Sequence, residues 1–253
     1  MAGYTERLEN RGLNSFALRI IGWVTMTWGA AQEILDIKDV DWATYMLWFS
    51  FAIFAFLLCE GLQKSTSRRL YFRRLLLFTV VSEPIYDLYY CGRYWDISRQ
   101  SIMVTLLIGF IVIAGADFIK KRYDNMILTV LALAVLSYGG TVPAVYVKSE
   151  MGLFGILLID FLYISLNVTY TRLMELLFFA VFISYAPAEN YLNIIINDFC
   201  YSIPDTSFCL LAVALTWFYN GKRGPNSTVL KVIYYLFYPF MLLVLCLVKN
   251  YLA

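Results

Sequence analysis

Apolar residues along this chain come in long, nearly unbroken blocks. They do not form the three-and-four stripe of a soluble amphipathic helix or the alternation of a half-buried strand. A helix crosses the hydrocarbon core of a bilayer with about 17 to 25 mostly apolar residues. That ruler marks nine segments, at about 15–35, 43–62, 70–90, 101–119, 126–147, 151–166, 173–197, 207–219 and 229–249. A spanning segment must satisfy its own backbone hydrogen bonds, so all nine are predicted as helices. The sixth and eighth are short, and the seventh contains Pro187, which removes a backbone donor and can kink or end a helix. The expected fold is all-α and integral to the membrane, a polytopic bundle of about nine transmembrane helices, with eight to ten allowed by the short segments. It is expected to be a single transmembrane domain over residues 1–253.

Composition supports the same class. The chain is 61% hydrophobic and 15% charged, against about 25% charged in an ordinary soluble domain. A net charge of +2 gives no reason to expect nucleic acid as a partner. The bilayer itself is the first partner. Basic residues give the orientation, because cytoplasmic loops carry an excess of them. With the N-terminus inside, alternate loops and helix ends hold 15 of the 20 Lys and Arg, from Arg7, Arg11 and Arg19 to Lys222, Arg223 and Lys231. The opposite side holds five: Lys38, Arg93, Arg99, Lys148 and Lys249. The expectation is a multi-pass protein of the cytoplasmic membrane, N-terminus cytoplasmic and C-terminus outside. No small-residue cleavage site follows the first apolar run, so no removable signal is expected. The five cysteines have no metal-type spacing; Cys200 and Cys209 flank one loop, where they could pair outside the cell.

Several stretches are shared, in order, with one family. Phe54-Ala55-Phe56 leads to Glu60-Gly61, a basic turn with Arg68-Arg69, then Tyr71, Arg73-Arg74-Leu75 and Ser82-Glu83-Pro84. Thr105 to Gly109, Met151 to Leu157 and Tyr219 to Gly224 follow, and Tyr235 to Pro239 closes the series. In these blocks the chain resembles the TraX family. The resemblance implies a membrane-embedded acyltransferase scaffold. The family's best-known activity is acetylation of a conjugative pilin N-terminus, with acetyl-CoA or another acyl-CoA as the implied donor. It also implies polar groups that are missing here. Where the family typically has an Asp-His pair in the first helix, this chain has Gly29-Ala30; Leu47-Trp48 stands in place of Gly-Arg in the second; and Met241 stands where the last helix carries a histidine.

The chain contains no histidine at all, and acyl transfer needs a base for the acceptor's proton. Four acids lie within predicted spans: Glu33, Glu83, Asp87 and Asp160. Acids in membrane helices are costly and mark functional or buried hydrogen-bonded sites. Glu33, about one turn past Gly29, and Glu83, before Pro84, are the candidate bases. Arg73, Arg74, Lys222 and Arg223 are candidates for gripping coenzyme A phosphates or another anionic headgroup. Positive-inside topology alone also places such residues there. No metal site is expected, and no cofactor is certain. Two functional readings follow. One is a scaffold without its usual catalytic groups, binding a membrane-protein partner or an exported peptide. The other is a working acyltransferase that moves an acyl group from cytoplasmic acyl-CoA to a peptide, protein N-terminus or glycan.

Overall fold

The computed structural model describes residues 12–35, 42–166, 177, 190–196, 199–225 and 227–252. These are mostly helical. Eight helices occur among them: α1 (Ser15–Leu35), α2 (Trp42–Lys64), α3 (Arg68–Cys91), α4 (Ile102–Tyr123), α5 (Met126–Tyr146), α6 (Gly152–Ser165), α7 (Phe208–Thr216) and α8 (Thr228–Leu252). Among the described residues four stretches are long and apolar enough to cross a membrane: Trp42–Lys64, Ile102–Tyr123, Met126–Tyr146 and Val232–Tyr251. By the rise of an α-helix, the 14 residues of α6 reach about 21 Å and the nine of α7 about 14 Å. Both fall short of a hydrocarbon core of about 30 Å.

The sequence reading ran a seventh helix to residue 197. Instead, Tyr191–Ile196 is a strand, β1, paired antiparallel with β2 (Phe199–Pro204) in the register Tyr191↔Pro204 through Ile196↔Phe199. The local sequence explains the correction. Ile194-Ile195-Ile196 is a β-branched run, Tyr191, Phe199 and Tyr201 are aromatic, and such residues favour strands. Hydrophobicity alone does not separate a short strand of this kind from a helix end. Pro204, which has no N–H to donate, sits at the open end of the ladder.

The chain falls into two compact units. The first comprises residues 1–54 and 179–237. Within it the segment ahead of α1 is laced to the segment after α7. Leu13 N–H donates to the Phe218 carbonyl at 2.9 Å, Asn220 N–H to the Leu13 carbonyl at 2.9 Å, and Ser15 N–H to the Lys222 carbonyl at 2.9 Å. Trp23 stacks on Phe237 with ring centroids 4.4 Å apart, and the Arg19 guanidinium lies 4.5 Å from the Tyr234 ring centroid. Cys209 is buried and Cys200 exposed; both are free thiols.

The second unit comprises residues 55–178 and 238–253. Here α4 packs against α3, α5 and α6. A Cβ on Gly109 would meet Ile159 Cδ1 at 2.4 Å, so glycine sets how closely α4 and α6 approach. At one end Arg68 and Lys121 both pair with Asp117, which also accepts from the Tyr163 hydroxyl at 3.4 Å. Lys120, Lys121 and Arg122 occupy the last turn of α4, where cations suit the negative end of a helix dipole.

Candidate functional site

In the second unit, α3 carries Glu83, Tyr86, Asp87 and Tyr90 at i, i+3, i+4 and i+7, which puts them on one face. The helix ends at Gly92, whose φ of 66° is the left-handed cap conformation that glycine adopts without strain. The chain then turns back through Asp96 and Ser101 to start α4. Glu83 Oε1 accepts hydrogen bonds from the Ser101 hydroxyl and, at 3.3 Å, from the Ser101 N–H. Ser101 is the N-cap of α4, so the Glu83 carboxylate also sits at the positive end of that helix dipole. Asp87 Oδ2 accepts from the Asp96 N–H at 2.9 Å. In the loop, the Ser98 hydroxyl and N–H hold the Asp96 carboxyl below the usual carboxylate range.

A second connector completes the cluster. Gln100 N–H donates to the Lys148 carbonyl at 3.1 Å and Glu150 N–H to the Gln100 carbonyl at 2.9 Å, joining the loop after α3 to the turn after α5. Arg99 Nη2 lies 3.0 Å from Glu150 Oε1, and its guanidinium lies 5.0 Å from the Tyr90 ring centroid. Tyr86 and Tyr90 have ring centroids 4.6 Å apart. Tyr238 on α8 is within electrostatic reach of Glu150, Tyr86, Tyr90 and Glu83. Glu83 Oε2, the Tyr86 hydroxyl, Asp87 Oδ1 and Ser149 Oγ are buried with no hydrogen-bond partner among the described residues. A buried carboxylate oxygen without a partner can take and return a proton. The hydroxyl bonded to the Glu83 carboxylate is that of Ser101, at the N-cap of α4. Among the described residues no group of three His, Cys, Asp or Glu side chains could hold a metal ion.

A family model described as TraX protein matches residues 16–249, nearly the whole chain. The chain belongs to the TraX family. No curated protein and no solved structure matches it.

The positions singled out by the TraX resemblance can now be placed. In the first unit, Gly29 is where α1 and α2 touch: a Cβ there would lie 3.0 Å from the Ala43 carbonyl oxygen and 3.3 Å from Leu47 Cγ and Met46 Cβ. Ala30 beside it is buried. Trp48 is half-buried, edge-on to Phe51, and its carbonyl accepts from Cys209 Sγ at 3.5 Å. In the second unit Met241 is buried. Of the candidate bases, Glu83 is in the cluster above, while the Glu33 side chain lies outside the described residues. Arg73 and Arg74, in the second unit, and Lys222 and Arg223, in the first, are all exposed.

Sequence reasoning found Glu83 and Asp87 but missed Tyr86, Arg99, Ser101, Glu150 and Tyr238 as their company. The i, i+3, i+4, i+7 spacing could have brought in Tyr86 and Tyr90. Nothing local links Arg99 to Glu150, which lie 51 residues apart in sequence.

Proposed function

We propose that this TraX-family chain is a membrane-embedded binding subunit that keeps the family's helical scaffold without its usual catalytic groups. The close contact at Gly29 carries the reading. The position where the resemblance leads one to expect a catalytic carboxylate has a backbone carbonyl 3.0 Å from the site of a Cβ. An aspartate there would meet that oxygen with another negative group. Ala30 and Met241 are buried and Trp48 is half-buried, and none of the three side chains offers a base. The ligand under this reading is a membrane-protein partner or an exported peptide.

Further features of the reading are its nine crossings, its cytoplasmic N-terminus, its place in the cytoplasmic membrane and its behaviour as one transmembrane domain. The hydrogen bonds from Leu13 and Ser15 to residues 218–222 support an even number of crossings between these segments, because both must lie on one side of the bilayer. Eight crossings followed by α8 satisfy that parity.

A second reading is favoured by one observation, the buried Glu83 Oε2 without a hydrogen-bond partner among the described residues. It is an acyltransferase using Glu83, or Glu33, as base, with acyl-CoA held by Arg73, Arg74, Lys222 and Arg223. Acyl-CoA hydrolysis and transfer in nanodiscs separates the two. The scaffold reading expects no turnover by the wild type. Turnover abolished in Glu83→Gln or Glu33→Gln would establish the enzyme.

A further inference from the structure

The two sides of α3 meet different surroundings. Leu75, Thr79, Ser82 and Tyr86, at steps of four, three and four, are buried, and Thr79 Oγ1 lies 3.4 Å from the Met103 carbonyl oxygen of α4. On the other side, Arg69, Arg73, Leu76 and Val80 follow the same steps, and all are exposed. The adjoining row of Leu70, Arg74, Leu77 and Val81 is exposed as well. This outer face changes character once along its length, from arginine in the first two turns to bare aliphatic side chains after Arg74.

The three arginines are cations without a counter-charge. Basic residues close to them in the fold are paired: Lys64 with Glu60 at 2.7 Å, and Arg68 and Lys121 with Asp117. Among the described residues no acid pairs with Arg69, Arg73 or Arg74, and neither exposed row contains one. Arg69 and Arg73 stand at i, i+4, where like charges destabilise a helix. An anion relieves that repulsion, and the fork of a guanidinium matches the oxygens of a phosphate.

The place where arginine gives way to aliphatic residues narrows the anion to a lipid. Nine crossings run α3 through the bilayer. From Arg74 to Cys91 the helix rises about 26 Å, close to a hydrocarbon core of about 30 Å. Exposed Tyr94 and Trp95 follow its far end, and Tyr and Trp are enriched at membrane interfaces. Arg73 and Arg74 then stand at the depth of lipid phosphates in the opposite leaflet. A soluble phosphate would use the arginines and leave the aliphatic rows bare. A phospholipid uses both, with its phosphate on the guanidiniums and its acyl chains along Leu76, Leu77, Val80 and Val81. A zwitterionic lipid brings its own cation beside the phosphate, so three unpaired arginines favour a lipid of net negative charge.

We propose that the outer face of α3 is a binding site for an anionic phospholipid, held at its phosphate by Arg69, Arg73 and Arg74. The site goes beyond the binding-subunit reading; it rests on α3 crossing the bilayer and holds whether or not the chain catalyses. The full chain in maltoside detergent is titrated with dioleoyl phosphatidylglycerol and, separately, with dioleoyl phosphatidylcholine, and bound lipids are counted by native mass spectrometry. Phosphatidylglycerol should bind about tenfold more tightly, given roughly 1 kcal/mol for each basic residue at an anionic lipid surface. Arg73→Gln combined with Arg74→Gln should remove most of that preference. Its phosphatidylcholine binding should stay at the wild-type level, which checks that the variant folds. Lys121→Gln combined with Arg122→Gln removes the same charge from the end of α4 and should keep the preference.

Equal binding of the two lipids overturns the proposal, as does a preference that survives loss of Arg73 and Arg74. Equal losses in the two double variants assign the effect to general surface charge and overturn it too. Glycerol 3-phosphate or coenzyme A that displaces phosphatidylglycerol at matched concentration makes the ligand a soluble phosphoester, with the same consequence. Sandwich reporters inserted after Thr66 and after Arg93 in the full chain should read from opposite sides of the membrane. The same side for both removes the crossing and the site with it, whereas a lost lipid preference with opposite sides removes the site alone.

Discussion

At the scale of single residues, Gly29 shows how two opposing terms decide an outcome. Replacing a helical glycine by alanine gains about 0.8–1 kcal/mol of helix propensity. Against this stands a Cβ 3.0 Å from the Ala43 carbonyl oxygen, a backbone atom that cannot swing aside. Gly29→Ala is therefore expected to be close to neutral. Gly29→Asp adds a carboxylate to the same contact, and overpacking of this kind typically costs about 1–3 kcal/mol. The check is the thermal midpoint of detergent-solubilised protein, which should fall for Gly29→Asp and stay near the wild-type value for Gly29→Ala. If Gly29→Asp folds as well as the wild type, the contact at Gly29 does not exclude a carboxylate. The absence of histidine and the small or apolar side chains at Gly29, Ala30, Trp48 and Met241 were legible in the sequence. That Gly29 has no spare room was not, because it depends on the spacing of two helices.

At the scale of elements, the joint between α3 and α4 hangs on Glu83. Its Oε1 takes the N–H and the hydroxyl of Ser101, the N-cap of α4, so the carboxylate stands in for a capping side chain contributed by another helix. Loss of a cap costs about 0.5–2 kcal/mol. Glu83→Ala should thus destabilise the protein by about that amount, whereas Glu83→Gln keeps a carbonyl acceptor and should lose less. Denaturant titration followed by tryptophan fluorescence distinguishes them; equal losses would mean that the carboxylate charge, and not the hydrogen bonds, holds the joint. Helix positions such as α2, α4 and α5 were readable from length and hydropathy, since lipid imposes that ruler directly. The β1–β2 hairpin was not: Tyr191 to Ile196 is as apolar as a helix end, and only pairing with Phe199 to Pro204 reveals a strand.

At the scale of the whole molecule, two features pull the sidedness of the loop after α7 in opposite directions. Positive-inside bias places residues 222 and 223 in the cytoplasm only if the eighth segment crosses, yet α7 has nine residues, about 14 Å of helix. Length argues against a crossing by α7 alone, and Lys222 and Arg223 argue for one through that region. The hydrogen bonds add a condition of parity. Leu13 and Ser15 bond the backbone at Phe218, Asn220 and Lys222, so the α1 entry and this loop share a side. Arg19 in the first turns of α1 lies over Tyr234 near the start of α8. The 3₁₀ turn at Asp205–Ser207 runs directly into α7 and lengthens the helical stretch that ends at Thr216. Reporter fusions after Lys121 and after Arg223 should therefore both be active only in the cytoplasm, and one near Asp39, outside the described residues, only beyond the membrane. A cytoplasmic signal near Asp39 would invert the whole orientation. Opposite signals from Arg223 and from the N-terminus would instead break the backbone pairing between Leu13 and Asn220, and with it the parity that supports nine crossings.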